Sequence, residues 1–474
     1  MFTLNDVLQG NADNFHLLSS RSPDPDMVFH SAHHDSRQIG AGDLFIAIKG
    51  TKVDGHIFIP AVARTGALGV LCTEPASDVP PDFLQIVVPD VVAALQATAH
   101  VRTQRQEHTT LIGITGSNGK TSTKEAVASV LSRQAPTLKT QASYNNEIGY
   151  PLTLLRLEPE HRYAVLEMGA QWVGELAWLC KTIASPNWSI VTNVGASHLE
   201  FFKSQERVTI AKTELVQALT ADGIAILNFD DLNVRGMAMQ TQARVLYYGT
   251  EDGTEVRASS IGGDMLFGRN FTLSYHGQHR RIQLHLPGEH GIAIALAAAA
   301  SGCAAEMSLD EIALVLEALV PARGRGEIKP GPNGSTIIDD TYNANRQSII
   351  AITSAMHAAT LPRNSKRWAI VGDIFELGSF SRTEHRASGV AMARNVDYLV
   401  ALGDQARFYI EGALEAGMSE KNAYYFCANV ESSAELEAAK RAIADLLTHE
   451  VHSDDLVLIK GSRGMRMETI LEML

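Results

Sequence analysis

The stretch GITGSNGKTSTKEAV, residues 113–127, sets three glycines, a lysine and several hydroxyl residues between an apolar run and a segment with helical spacing. Glycines let a backbone curl so that successive N–H groups face inward, and a following helix adds its positive amino end. In that setting Lys120 reaches the β and γ phosphates of a nucleotide, and the Thr121 hydroxyl is a ligand for magnesium. Gly116, Ser117, Asn118, Gly119, Lys120, Thr121 and Ser122 are therefore expected to cradle the triphosphate of a nucleotide. The strict pattern wants glycine where Ile114 stands, with Gly113 and Gly116 on either side. The plain alternative is a tight strand-to-helix turn carrying an exposed lysine.

Three more residues bear on that choice. Glu167 ends the strand-like LEMGA, and His198 follows a second strand in TNVGASHLEFF. Magnesium takes hard oxygen ligands and keeps several waters, so one carboxylate with nucleotide oxygens suffices. Taken alone, His198 reads as a loop histidine, and Lys212, in VTIAKTELVQAL, reads as the solvated edge of a helix.

The elements that must position these residues are legible as strand and helix signals. LIGIT is a strand, and Ala126, Val127, Val130 and Leu131 give the segment after the glycines a helical apolar face. DLFIAIKG, LGVLC and LQIVVP are short strands separated by turn residues, which predicts a small α/β domain over residues 1–105. A central domain over 106–324 alternates LIGIT, YAVLEMG, WSIVTNVG and IAILNFD with helices, as a parallel sheet covered on both faces requires. PARGRGEIKPGPNGS reads as a linker, and a further βα array follows in a domain over 325–474. The expected fold is α/β in three domains, with ligands in a cleft beyond the carboxyl ends of the strands.

With 474 residues the chain exceeds one compact core, and its net charge of −13 argues against nucleic acid as a partner. Cys72, Cys180, Cys303 and Cys427 lie far apart with no CxxC pair, which favours a reduced compartment. The amino terminus lacks a basic start followed by an apolar core, and no run of about 18 apolar residues occurs. A cytoplasmic protein without a transmembrane segment, acting as a monomer, is the expectation.

TGSNGKTSTKE, YNNEIGYPLTLL, LEMGA, TNVGASHLEFF, DDTYNAN, GDIFELG and VLIKGSRGMRME, in this order, resemble the Mur ligases, ATP-dependent amide-forming enzymes of peptidoglycan synthesis. The resemblance runs over almost the whole chain. It also takes in HDSRQIGAGDLFIAIKGTKVDGHIFIPAVARTGA, which is similar to a domain that binds a UDP-linked substrate. It implies a UDP-substrate domain, a central P-loop-type ATP domain and a Rossmann-like last domain. It also implies UDP-N-acetylmuramoyl-tripeptide and D-alanyl-D-alanine as substrates, with ATP and magnesium, joined through an acyl phosphate.

The same resemblance implies roles residue by residue. Lys120, Lys212 and His198 become catalytic, and Thr121, Glu167, His198 and a carbamylated Lys212 become metal ligands. Asn146, Arg325, Asp340, Tyr342 and Asn343 fall near the nucleotide or the hinge, and Ser36 and Arg37 near the uridine diphosphate. Simpler accounts stay open: a linker charge for Arg325, a strand-end cap for Asp340, a helix-starting serine and surface arginine for Ser36 and Arg37. The chain also departs from the family pattern. Gly291 and Ile294 stand where the family commonly has asparagines, so side-chain amide contacts to adenine are expected to be missing. Ser122 replaces a common threonine, and Arg346 a frequent proline. The rival readings are another ligase of this superfamily, such as one acting on folate, and a noncatalytic nucleotide-binding protein.

Overall fold

The structure, a computed structural model, describes residues 1–474 other than 13, 52 and 196–198 and the side chains of 199, 200 and 289. Beside a two-stranded ribbon of Phe2–Thr3 and Val28–Phe29, three larger sheets among the described residues organise the α/β fold. The first runs His16–Leu18, Leu84–Val87, Gly69–Cys72, Leu44–Ile46 and Ala32–His33, parallel except for its first strand. The helix Val91–Gln104, started by Asp90 accepting from the Val92 and Ala93 N–H groups, then leads into the second sheet.

That sheet has nine strands. Thr137–Lys139, Tyr163–Glu167, Thr110–Thr115, Trp188–Val191, Ile224–Asn228, Arg244–Gly249 and Val256–Asp264 lie parallel, and Gly268–Tyr275 and Gln278–Leu284 complete an antiparallel edge. The parallel centre was legible as apolar runs. The edge was not, because strands such as QHRRIQL keep one face wet and lack a continuous apolar signal. The helix Gly288–Ala304 carries the fully buried run from Ala297 to Ala300, and its small residues let it pack closely on the helix Lys120–Ser132.

The last sheet runs Glu327–Pro330, Thr336–Asp340, Leu456–Lys460, Arg367–Gly372, Tyr398–Leu402 and Ala423–Phe426. Only Glu327–Pro330 is antiparallel. The segment read as a linker thus contains an edge strand, the one place in a sheet where Pro330 costs no ladder bond. One buried core joins the first two units, with Phe2, Phe29, Ile86 and Leu95 in the same cluster as Leu152, Met168 and Leu176. Among the described residues no helix is long and apolar enough to cross a membrane.

Candidate active site

The strand Thr110–Thr115 ends at the glycine turn, and the helix Lys120–Ser132 begins directly after it. Gly116 has φ 148° and Gly119 φ 79°, conformations that favour glycine. A Cβ on Gly116 would stand 1.9 Å from Thr192 Oγ1, so the turn also presses against its neighbour. That neighbour, residues 192–195, braces the loop. Asn193 accepts from the Asn118 N–H at 3.0 Å and donates to the Asn118 carbonyl at 3.0 Å. Thr192 Oγ1 donates to the same carbonyl at 2.7 Å, and Ser117 Oγ donates to the Gly195 carbonyl at 3.0 Å.

Around this loop lies a cavity of about 890 Å³, a size suited to a nucleotide with a second substrate. Ser117 to Ser122, Asn146, Glu167, Arg325, Asp340, Tyr342 and Asn343 all line it. Lys120 Nζ donates to the Gly116 carbonyl at 2.8 Å, which folds the ammonium back over the loop. Burial lowers the Lys120 pKa, opposed by Glu167 and reinforced by Arg325. Arg325 donates to Thr121 Oγ1 at 2.9 Å, and its guanidinium lies 4.0 Å from the centre of the Tyr342 ring.

Glu167 supplies the anionic side. Its Oε1 accepts from Asn145 Nδ2 at 2.8 Å, while its buried Oε2 has no hydrogen-bond partner among the described residues. An orphaned carboxylate oxygen beside a hydroxyl and a phosphate loop fits a magnesium ion, which would complete its shell with phosphate and water oxygens. Among the described residues no group of three or more His, Cys, Asp or Glu forms a ready-made metal cage. His198, expected as a ligand, lies outside the described residues. Asn145 escaped sequence reasoning, although its neighbour Asn146 was singled out. Asn146 instead accepts from the Gly149 N–H at 2.9 Å and so starts the next helix.

Lys212 does not sit on a solvated helix edge. It is 1% exposed, with Nζ 6.0 Å from the centre of the Phe202 ring. Burial, with a smaller push from Lys120, brings its pKa down to about 7 against the pull of Glu175 and Glu214. Glu214, on the same helix, accepts from the Gly174 and Ala177 N–H groups at 2.5 and 3.1 Å, capping the helix Glu175–Thr182. Glu175 lines the cavity while Lys212 lies behind its wall.

The last unit closes the other side. Asp340 ends its strand opposite Lys460 on the neighbouring parallel strand, and Lys460 Nζ donates to Asp340 Oδ2 at 2.6 Å and to the Asn343 carbonyl at 2.8 Å. Lys460, 2% exposed, was missed because VLIKG reads as a strand end like any other. Asn345 donates to Asn118 Oδ1 at 2.6 Å, and the Tyr342 and Ser143 hydroxyls are bonded across the cavity.

Ser36 and Arg37 lie outside this wall. Ser36 begins the turn Ser36–Gln38, and Asp35 both caps it and pairs with Arg37, whose side chain is 86% exposed. The link to the cavity comes two residues before Ser36: the His34 ring lies 5.9 Å from that of Tyr144, next to Asn145.

Comparison with known proteins adds three family matches in chain order. These are the Mur ligase family catalytic domain at 28–105, the Mur ligase middle domain at 114–302 and the Mur ligase glutamate ligase domain at 324–463. The UDP-N-acetylmuramoyl-tripeptide–D-alanyl-D-alanine ligase of Mycobacterium leprae is 35% identical, covering 94% of this chain and 93% of that protein. The Escherichia coli enzyme of the same name is 33% identical over 97% and 96%. A crystal structure of MurF from Acinetobacter baumannii superposes with a TM-score of 0.84 at 30% identity, covering 99% and 98% of the two chains. MurF ligase from Thermotoga maritima in complex with ADP gives 0.78 at 26% identity, over 94% and 97%.

Proposed function

Because this chain belongs to the Mur ligase family, we propose that it joins D-alanyl-D-alanine to UDP-N-acetylmuramoyl-tripeptide, converting ATP to ADP and phosphate. The observation that carries this reading is one cavity uniting a braced phosphate loop, the unpartnered oxygen of Glu167 and cationic residues of the last unit. A carboxylate is a poor acyl donor because it would have to expel oxide. Transfer of the γ-phosphoryl group to the tripeptide carboxylate gives an acyl phosphate, which the dipeptide amine attacks with loss of phosphate.

The protein's task is alignment of two anions and relief of their repulsion. The loop N–H groups and Lys120 hold the transferred phosphoryl group, Arg325 adds positive charge, and Asn145 fixes the Glu167 carboxylate. Magnesium, held by Glu167 and Thr121 with His198 as a further ligand, would polarise the phosphoryl oxygens. Lys212 supports a further role: near pH 7 it offers the neutral amine, whose lone pair forms an N–C bond to carbon dioxide as one N–H proton is lost to solvent. The resulting carbamate would join the metal ligands, with Lys120 beside it to offset Glu175 and Glu214. A carbamate signal from ¹³C-bicarbonate that persists in Lys212→Met would refute that role.

We assign residues 1–105 to the UDP substrate, 106–324 to ATP and 325–474 to closure and the amine, with Ser36 and Arg37 near the uridine diphosphate. The cavity is completed within one chain, which supports a monomer, and an ATP-consuming step belongs in the cytoplasm. The test is phosphate release from ATP and magnesium with both substrates or either alone, following product mass. Release that needs both and yields the pentapeptide nucleotide is expected; folded protein that releases none overturns the assignment.

A further inference from the structure

The cavity has two unlike flanks. On the Glu167 side Asn145, Gln171 and Glu175 face it, a polar wall suited to reacting anions. The other flank follows the helix Lys120–Ser132 outward past Ala126 and Ser129 and is walled by Leu286, Pro287, Gly291, Ile294, Leu319 and Val320. A nucleotide whose phosphates sit in the loop meets this apolar flank with its base, since a planar ring is desolvated best between apolar walls.

Among the described residues little in that wall reads the edge of a base. At residue 291 a Cβ would stand 2.7 Å from the Leu286 carbonyl oxygen, so the backbone itself excludes a side chain there. Ile294 presents only carbon. Ser129 Oγ already donates to the Glu125 carbonyl at 2.9 Å, and the Glu125 carboxylate pairs with Lys124 at 3.0 Å and with Lys139. The Ala318 and Leu319 N–H groups are taken by the Val315 and Leu316 carbonyls at 3.1 and 3.3 Å, and Pro321 has none. His290 also lines the cavity, and an imidazole nitrogen donates in one tautomer and accepts in the other, so it does not by itself tell a 6-amino from a 6-oxo purine.

Resting on the ATP-dependent reading above, we propose that this flank is a purine slot that selects by shape, so that GTP and ITP serve as phosphoryl donors beside ATP. Apolar pockets separate ligands differing in one polar group by factors of roughly 100, whereas a buried hydrogen-bonding site rejects the wrong partner by about 10⁴ or more. Ile294 and Leu319 then supply area that every purine buries, so they set affinity for the base and not the choice among purines.

The test measures phosphate release by the full chain with magnesium and both substrates, using ATP, ITP or GTP. In parallel, each triphosphate displaces a fluorescent ATP analogue. kcat/KM for ATP is expected within about 200-fold of that for ITP and GTP. A preference beyond about 10³ overturns the proposal while leaving the ligase assignment intact. Displacement by none of the three overturns both. Ile294→Ala, which removes area shared by every purine, is expected to weaken the three nucleotides by factors within about threefold of each other, in keeping with non-directional burial. A loss confined to ATP would mean a specific adenine contact and would also overturn it.

Discussion

Lys120 and Lys124 stand one helical turn apart and do different work. Lys124 is fully buried and donates to the Thr140 and Ala142 carbonyls at 2.8 Å, tying the helix to the neighbouring strand segment. Lys120 bends back over the phosphate loop. The sequence distinguishes them only through the glycines before Lys120. Neighbouring residues of that kind are legible; depth is not, which is why the local pattern alone made Lys212 a surface lysine and only the family resemblance gave it a role, whereas the structure shows it buried near Phe202. Pairs across strands are equally hidden. Asp340 and Lys460 are 120 residues apart, and their side chains are 18% and 2% exposed. Removing the carboxylate strands a deeply buried cation, whereas removing the cation leaves a carboxylate that water can reach. Asp340→Ala is expected to cost about 3 kcal/mol in urea unfolding and Lys460→Met clearly less; the reverse order would contradict this electrostatic picture. A second buried pair makes a pH prediction. Burial raises Asp373 to about 6 and lowers His385 to about 4. Asp373 contributes stability that is full below its unfolded value, about 4, and is lost as pH rises through 6. His385 contributes stability that is full above its unfolded value, about 6.5, and is lost as pH falls through 4. The two trends oppose each other. Relative to the parent, Asp373→Asn is expected to gain stability as pH rises from 4 to 7, and His385→Gln as pH falls over the same range. Differences that stay flat with pH would rule out both assignments.

At the scale of elements, the site depends on a turn that two adjacent strands share. Thr110–Thr115 delivers the glycines, and the residues after Trp188–Val191 hold them from the side through Thr192 and Asn193. The parallel strands, the glycine turn and the helix after it were legible because apolar runs and helical spacing are local signals. The antiparallel edge and the Glu327–Pro330 strand were not, because half-wet strands and a proline both mimic loops. Gly116 tests the shared turn most directly. An alanine there brings a methyl group 1.9 Å from Thr192 Oγ1 at a φ of 148°, so either the loop or its brace must move. Gly116→Ala is expected to weaken ATP binding by at least about tenfold, a cost near 1.4 kcal/mol. Calorimetric titration with ATP and magnesium reads the affinity, and unchanged affinity would mean that the loop is looser than its hydrogen bonds imply.

For the whole molecule the question is how the last unit stays registered on the phosphate loop. Across the cavity it is held by Asn345 on Asn118, Arg325 against Thr121 and Tyr342 on Ser143, contacts spanning about 200 residues that no local pattern announces. A second attachment lies away from the cavity. The hairpin of Val256–Asp264 and Gly268–Tyr275 belongs to the central sheet, yet its tip residue Leu266 is 1% exposed within the core of Ile338, Ile349, Met356 and Leu399 in the last unit. Asp264 stiffens the tip by accepting from the Leu266 N–H at 2.8 Å and reaches across to the Thr360 N–H at 3.0 Å. The hairpin therefore works as a plug that fixes one point of the last unit away from its cavity-facing loops. Leu266→Ala is expected to lose about 2–3 kcal/mol, the lower part of the range for a buried leucine. Because that loss falls on an attachment between units, the last unit should melt separately, seen in calorimetry as an early transition ahead of the rest. Catalysis should suffer through both substrates' KM values more than through kcat once they are saturating, since the phosphate loop itself is untouched. A single cooperative transition lowered as a whole would instead mean that the two units share one folding unit, and the last unit would then close by bending of its loops rather than by rotation about the plug.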